Sequence, residues 1–253
     1  GPAMEAELRA QLTEQGYVHE VLAEFGTQEA GVFPKDKLDK AITFEYYAYN
    51  ELTYEQRIKC ERENAWPDMV MYDRSNPAPY NTFRTMGVDW DKYGASSSII
   101  ILDYDVIAGK FKVIKRVEVG RSEYSYDNAI NTIVELNAIY NPSFIYCDAG
   151  SGEYQIERLH IIGDQQPHTG LKHKVKRWQF AQTLDIMDPI TMEIVKQPLK
   201  PFMVNQLTLA FERDNLILSP FDNVLHKQLT NYEVEKINAS GKPVYTSVDE
   251  HFI

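Results

Sequence analysis

At 253 residues the chain is long enough for one large domain, or for one domain with a piece of another. Its 43% hydrophobic and 25% charged residues are those of an ordinary globule, no apolar run reaches the ~18 residues of a membrane span, and no signal peptide is visible. The formal net charge of -11 argues against indiscriminate nucleic-acid binding, because phosphate contacts need Lys and Arg, but it leaves room for a local basic groove. Clustered carboxylates offset by divalent cations also produce such acidity. Cys60 and Cys147 have no Cys-rich spacing around them, which disfavours a zinc site or a disulfide framework and fits a reducing, intracellular setting.

Gly1-Pro2-Ala3 ahead of Met4 reads as a cleavage scar, so residues 1–3 are left out of fold reasoning. From residue 4 to about 44, Leu8, Leu12, Val18, Val21, Leu22 and Phe25 are spaced for a packed helical face. Gly26 interrupts them, Gly31-Val32-Phe33-Pro34 reads as a turn or short extended piece, and Lys35 to Ala41 resumes a helix. Tyr46, Tyr47, Tyr49, Tyr54, Tyr72 and Tyr80 follow, as packing and surface residues in preference to a platform for bases. Asn76-Pro77-Ala78-Pro79 marks a linker, so a helical extension over 4–80 is expected to precede the main domain, 81–253.

In that domain Met86 to Trp90 reads as a strand. Ser97 to Tyr104 and Lys110 to Val119 form a hairpin around Asp105-Val106-Ile107-Ala108-Gly109. Tyr126 to Tyr140 is a helix with Ile130, Ile133, Val134 and Ala138 along one stripe, ended by Asn141-Pro142. Ser143 to Asp148 is an apolar strand, Glu153 to Ile161 a helix, and Val175 to Phe180 a short strand after a mobile loop, 163–170. Pro201 to Arg213 is a helix with Met203, Leu207 and Ala210 on one face. Leu216 to Leu218 is a short strand, and Asp222 to Leu229 a helix capped by Asp222. Glu233 to Ile237 and Val244 to Ser247 flank a second hairpin turn. Three antiparallel strands followed by helix crossovers give an α/β fold with a mixed sheet flanked by helices.

Two acids carry the chemistry. Asp89 lies on the first strand, where a carboxylate loses hydration and needs hydrogen bonds or a cation, unless it is only a turn acceptor at a strand end. Asp148 ends a second apolar strand and is followed by Ala149-Gly150-Ser151-Gly152 and a helix. Sites form at the carboxyl ends of strands in α/β sheets, so the two could converge.

With these residues in place, the chain resembles the nuclease half of the large terminase subunit of tailed phages, an RNase H-like domain. The resemblance rests on Gly87-Val88-Asp89-Trp90, on Tyr146-Cys147-Asp148-Ala149-Gly150 and on the ending Asp249-Glu250-His251-Phe252-Ile253. Upstream, Val21-Leu22-Ala23-Glu24-Phe25-Gly26 and Gly31-Val32-Phe33-Pro34 look like the family's passage out of its ATPase domain. The resemblance implies a metal-dependent endonuclease that cuts concatemeric viral DNA during genome packaging. It implies two Mg²⁺ or Mn²⁺ ions, with Asp89 bridging both, Asp148 holding one, and Asp249, Glu250 or His251 completing the set. A final ligand immediately after Ile253 is also compatible with the family pattern, and the last helix is expected to run on past the end of the sequence. Double-stranded DNA is the implied partner, with portal, small terminase subunit and self-association in the full-length protein. The implied setting is the host cytoplasm, without membrane attachment or secretion. No Gly-x-x-x-x-Gly-Lys-Ser/Thr loop occurs, so ATP hydrolysis is assigned to a domain outside the sequence.

The densest basic run, Lys172-His173-Lys174-Val175-Lys176-Arg177-Trp178, makes Lys172, Lys174, Lys176 and Arg177 the candidate DNA-binding residues. A strand edge guarded by lysines is the structural alternative. Two other functional classes fit less of the chain. An actin-like nucleotide-binding domain also opens on a strand with Asp beside Gly, but expects a second copy of the unit. A docking module would use the Tyr-rich segment and the hairpin around Gly241, with the acids as surface charge.

Overall fold

A computed structural model describes residues 31–43, 53–63, 81–90, 96–119, 126–187, 191–237 and 243–247. Of the passage expected out of an ATPase domain, residues 21–26 lie outside the described residues and 31–34 within them; most of the tyrosine-rich stretch and the acidic ending also lie outside. The chain divides into two compact units.

The larger unit, Thr43–Thr183 with Ile217–Asp222, is built on a sheet. A short helix, α1 (Lys35–Ala41), belongs to the other unit, and α2 (Tyr54–Glu63) opens this one. Thr53 and Gln56 cap α2 reciprocally. The Thr53 hydroxyl accepts from the Gln56 backbone N–H (3.3 Å), and the Gln56 side-chain oxygen accepts from that of Thr53 (2.8 Å).

The strands β1 (Thr82–Asp89), β2 (Ser97–Asp105) and β3 (Lys110–Val119) pair antiparallel in sequence order. Their β-branched and apolar alternation sends Met86, Val88, Ile99, Ile101 and Ile114 into the core. Asp105 shapes the β2–β3 turn, its carboxylate accepting from the backbone N–H of Ile107 (3.0 Å) and Ala108 (2.9 Å). Gly109 supplies the positive φ of +64° that the turn requires.

Helix α3 (Tyr126–Tyr140) then crosses the sheet, and β4 (Phe144–Asp148) enters parallel to β1. The helix buries Ala129, Ile130, Ile133, Leu136 and Tyr140, while Ala138, expected on that stripe, is exposed. After α4 (Glu153–Gln165), a 3-10 turn and α5 (Leu171–Lys174), β5 (Val175–Trp178) adds parallel to β4.

The loop expected over 163–170 is instead held in place. Gly163 lies inside α4, where a Cβ would come within 2.4 Å of the Lys172 backbone nitrogen. The Asn137 amide donates to the Thr169 carbonyl (3.0 Å). Lys174, whose ammonium pKa is lowered by burial, donates to the side-chain oxygens of Asn137 (3.0 Å) and Asn141 (2.7 Å).

With the short β8 (Leu216–Ile217) on the far edge, the sheet runs β5-β4-β1-β2-β3-β8. Three antiparallel strands extended by parallel ones beside the first give the RNase H-like arrangement expected from the sequence. Asp222, expected as a helix cap, is buried and accepts a bidentate pair from the Arg116 guanidinium (2.6 and 2.7 Å).

The smaller unit contains α1, a hairpin of β6 (Thr183–Met187) and β7 (Ile194–Pro198), α6 (Leu199–Glu212), α7 (Asn223–Thr230), and a hairpin of β9 (Tyr232–Ile237) and β10 (Pro243–Ser247). The first hairpin has no counterpart in the sequence reading. Phe33 packs on Phe211 (5.3 Å) and stacks on Tyr232 (5.6 Å), which stacks in turn on Tyr245 (5.6 Å). The buried side of α6 carries Leu199, Leu209 and Phe211, whereas Met203 is exposed.

At the end of the main sheet remote from Asp89, three charges sit on the core face. Arg84 on β1 donates to both carboxylate oxygens of Asp103 on β2 (2.6 and 2.9 Å) and to the Tyr140 carbonyl (2.8 Å). Lys112 on β3 is the register partner of Asp103, and burial lowers its pKa to about 7. Arg84→Met leaves a buried carboxylate without its guanidinium, and is expected to cost about 3–5 kcal/mol by chemical denaturation. Lys112→Met should show the opposite sign. The unfolded chain holds that proton up to 10.5 and the folded chain releases it from about 7. Native stability therefore rises with pH across that window, and below it the full cost of burying the ammonium is present. The gain from methionine should be largest below about pH 7 and vanish near 10.5, which denaturation at stepped pH will read.

Candidate metal centre at the strand ends

Alternation along β1 turns Arg84, Met86 and Val88 into the core and Thr85, Gly87 and Asp89 to the other face. On β4 the same rule turns Ile145 and Cys147 inward and Phe144, Tyr146 and Asp148 outward. The parallel register pairs Gly87 with Tyr146 and Val88 with Cys147. The next step along both strands sets Asp89 beside Asp148, on one face, at the carboxyl ends of neighbouring strands about 4.8 Å apart. This is the convergence expected from the sequence.

The sheet fixes both positions from below. Cys147, fully buried beside Asp148, has its thiol pKa pushed up to about 12 by burial and by that carboxylate. The Asp148 carboxylate accepts from the Gly150 backbone N–H (3.0 Å), and the Ala149 N–H donates to the Trp178 carbonyl on β5 (2.8 Å). A Cβ on Gly150 would lie 3.3 Å from that carboxylate, so the small residue leaves its oxygens room.

Two half-buried carboxylates at adjoining strand ends are hard oxygen donors, and they fit a divalent cation such as Mg²⁺ or Mn²⁺. Among the described residues no third acid, histidine or cysteine joins them in a cluster able to hold a metal. Asp249, Glu250 and His251, the expected third ligands, lie outside the described residues.

The basic run does not act as one block. Lys176 pairs with Tyr146 in register and Trp178 with Asp148, so both project on the face of the acids. Lys176 is exposed, with its ammonium 5.3 Å from the centre of the Phe144 ring. Arg177 pairs with Cys147 on the opposite face and forms an ion pair with Glu153 of α4. Lys172 pairs with Asp164, and Lys174 is tied to α3 as described. The structure thus sets Asp89 beside Asp148, puts Lys176 on their face with its ammonium over Phe144 at the other end of β4, and sets Lys172, Lys174 and Arg177 in pairs of their own.

Sequence reading passed over the aromatic surroundings of the acids. Tyr146 meets Trp178 edge-on (5.6 Å), Phe144 lies 6.0 Å from both Tyr146 and Phe83, and Gly87 leaves open space in the middle of β1. Strand alternation was the signal that could have found them.

No protein-family model and no curated protein matches the sequence. Among solved structures the chain is similar to the large terminase nuclease from thermophilic phage G20c, at 15% identity over 88% of this chain and 91% of that one, with a TM-score of 0.47. It is similar to the HK97 bacteriophage large terminase at 12% identity, over 87% of this chain and 51% of that one, with a TM-score of 0.43. The nuclease domain of the large terminase g2p from bacteriophage SPP1, with bound Mn, is 12% identical over 66% of this chain and 78% of its own, with a TM-score of 0.40.

Because an amide oxygen can take the Gly150 hydrogen bond as a carboxylate does, Asp148→Asn should fold with a stability within about 0.5 kcal/mol of wild type. Thermal melting without metal will check it.

Proposed function

We propose that the chain is a metal-dependent nuclease acting on DNA, with Asp89 and Asp148 as ligands of divalent cations. The observation that carries this reading is the placement of two carboxylates, 59 residues apart in sequence (148 − 89), side by side at strand ends. Like charges so placed raise each other's cost of ionisation, and a cation between them removes that cost. When bound, a pair of Mg²⁺ or Mn²⁺ ions supplies an activated water and a stabilised leaving oxygen for phosphodiester hydrolysis. The chain's own part is to hold the two carboxylates in register and to leave room for the Asp148 oxygens beside Gly150, while Lys176 offers a positive charge farther along the same face to the DNA backbone.

The finer reading is an endodeoxyribonuclease that cuts concatemeric viral DNA during packaging, completed by Asp249, Glu250 or His251. It draws on the sequence resemblance, as do the portal and small-subunit partners. The actin-like alternative is not favoured, since the described residues contain one six-stranded sheet and, besides it, only two-stranded ones.

Plasmid cleavage in Mg²⁺ or Mn²⁺ tests the reading. Asp89→Ala and Asp148→Ala should each abolish cutting while melting at an equal or higher temperature without metal. Retained cutting in both variants would remove the metal role.

A further inference from the structure

We propose that the contact between the Trp90 indole and Gly152 is a positioning lock that sets the spacing of Asp89 and Asp148 for a divalent cation. The inference rests on the metal reading above and assigns roles to two residues that touch neither metal nor DNA in that reading.

Trp90 follows Asp89 directly in the chain, and Gly152 closes the turn that begins at Asp148 and leads into α4. The Trp90 side chain is 4% exposed and belongs to the same core as Val88, Cys147 and Ala149. A Cβ added at Gly152 would fall 2.0 Å from Trp90 Nε1, 2.1 Å from Cδ1 and 2.5 Å from the Asp148 carbonyl oxygen. The ring edge, the Asp148 carbonyl and the Gly152 backbone therefore converge on one point. Two of the three are attached to, or part of, the residues carrying the acids.

Gly152 has φ −110° and ψ 15°, a conformation open to residues with side chains. Its requirement is room for the indole. Among the described residues the Trp90 Nε1–H is buried without an acceptor, which by itself disfavours the arrangement. The ring is thus held by its shape and packing. Any movement of it shifts the backbone at Asp89 on one side and the Asp148 turn on the other.

Calorimetric titration with MnCl₂ alone, without DNA, tests the lock, with melting temperature followed in parallel. Gly152→Ala forces the ring and the turn apart, and Trp90→Leu leaves slack where the ring was. Each is expected to raise the Mn²⁺ dissociation constant about 10- to 100-fold, as loss of support around a metal ligand does. Combined, the added methyl group occupies part of the vacated space, so the double variant should bind Mn²⁺ more tightly than either single one. A purely structural role would lower the melting temperature and leave Mn²⁺ affinity unchanged. If Gly152→Ala does not fold, Trp90→Leu carries the test alone. Wild-type affinity in the folded single variants, or a double variant as weak as the sum of its parts, would overturn the lock while leaving the metal reading intact. Absence of Mn²⁺ binding by the wild type, or its full retention in Asp148→Ala, would remove both.

Discussion

The parallel pairing of β1 with β4 is the constraint on which the site depends. Each strand has two faces, and one residue of slip exchanges them. Met86, Val88, Ile145 and Cys147 are all at most 5% exposed, and their burial selects the register. A fully buried apolar side chain contributes about 1.5–3 kcal/mol, so the four together outweigh the ~1–4 kcal/mol by which two unit charges about 4 Å apart repel. Packing on one face therefore imposes proximity of the acids on the other. The nearness of the two acids is a by-product of core formation.

The same sheet deals with charge differently at its two ends. Where Asp89 and Asp148 emerge, carboxylates of like sign lie at the strand termini, and the small residues of the turn after β4 leave room beside Asp148. At the other end, Asp103 is enclosed between an arginine and a lysine on neighbouring strands, with Tyr140 closing over Arg84. At the far end the Arg84 guanidinium neutralises Asp103 from within. Buried pairs of this sort contribute little net stability, although breaking them is costly.

Much of this was legible in the sequence. Apolar runs ending in Asp, the Asp105-to-Gly109 turn and the long helix before Pro142 gave the strand order and hence the convergence of Asp89 with Asp148. The basic run at 172–177 is contiguous in sequence but not in space. A two-residue period sends Lys176 and Arg177 to opposite faces, and a helical turn removes Lys172 and Lys174 from the strand altogether. The β6–β7 hairpin gave only a weak signal, since Leu184 and Ile186 alternate with Thr183 and Asp185 over a short run whose residues are all half or fully exposed. A lysine on a hairpin gives no sign of burial, and the register opposite Asp103 is what places Lys112 inside. The stripe on α6 was displaced because Met203 is apolar yet outward, and apolar character alone does not orient a helix.

Cys147 brings a practical consequence. Its thiol stays protonated through the neutral range and is enclosed on the core face of β4. Thiolate is the reactive form, so alkylating reagents reach it only when β4 separates from its neighbours. The rate of labelling at this one atom is a clock for breathing of the central sheet, read one residue away from the carboxylate it supports.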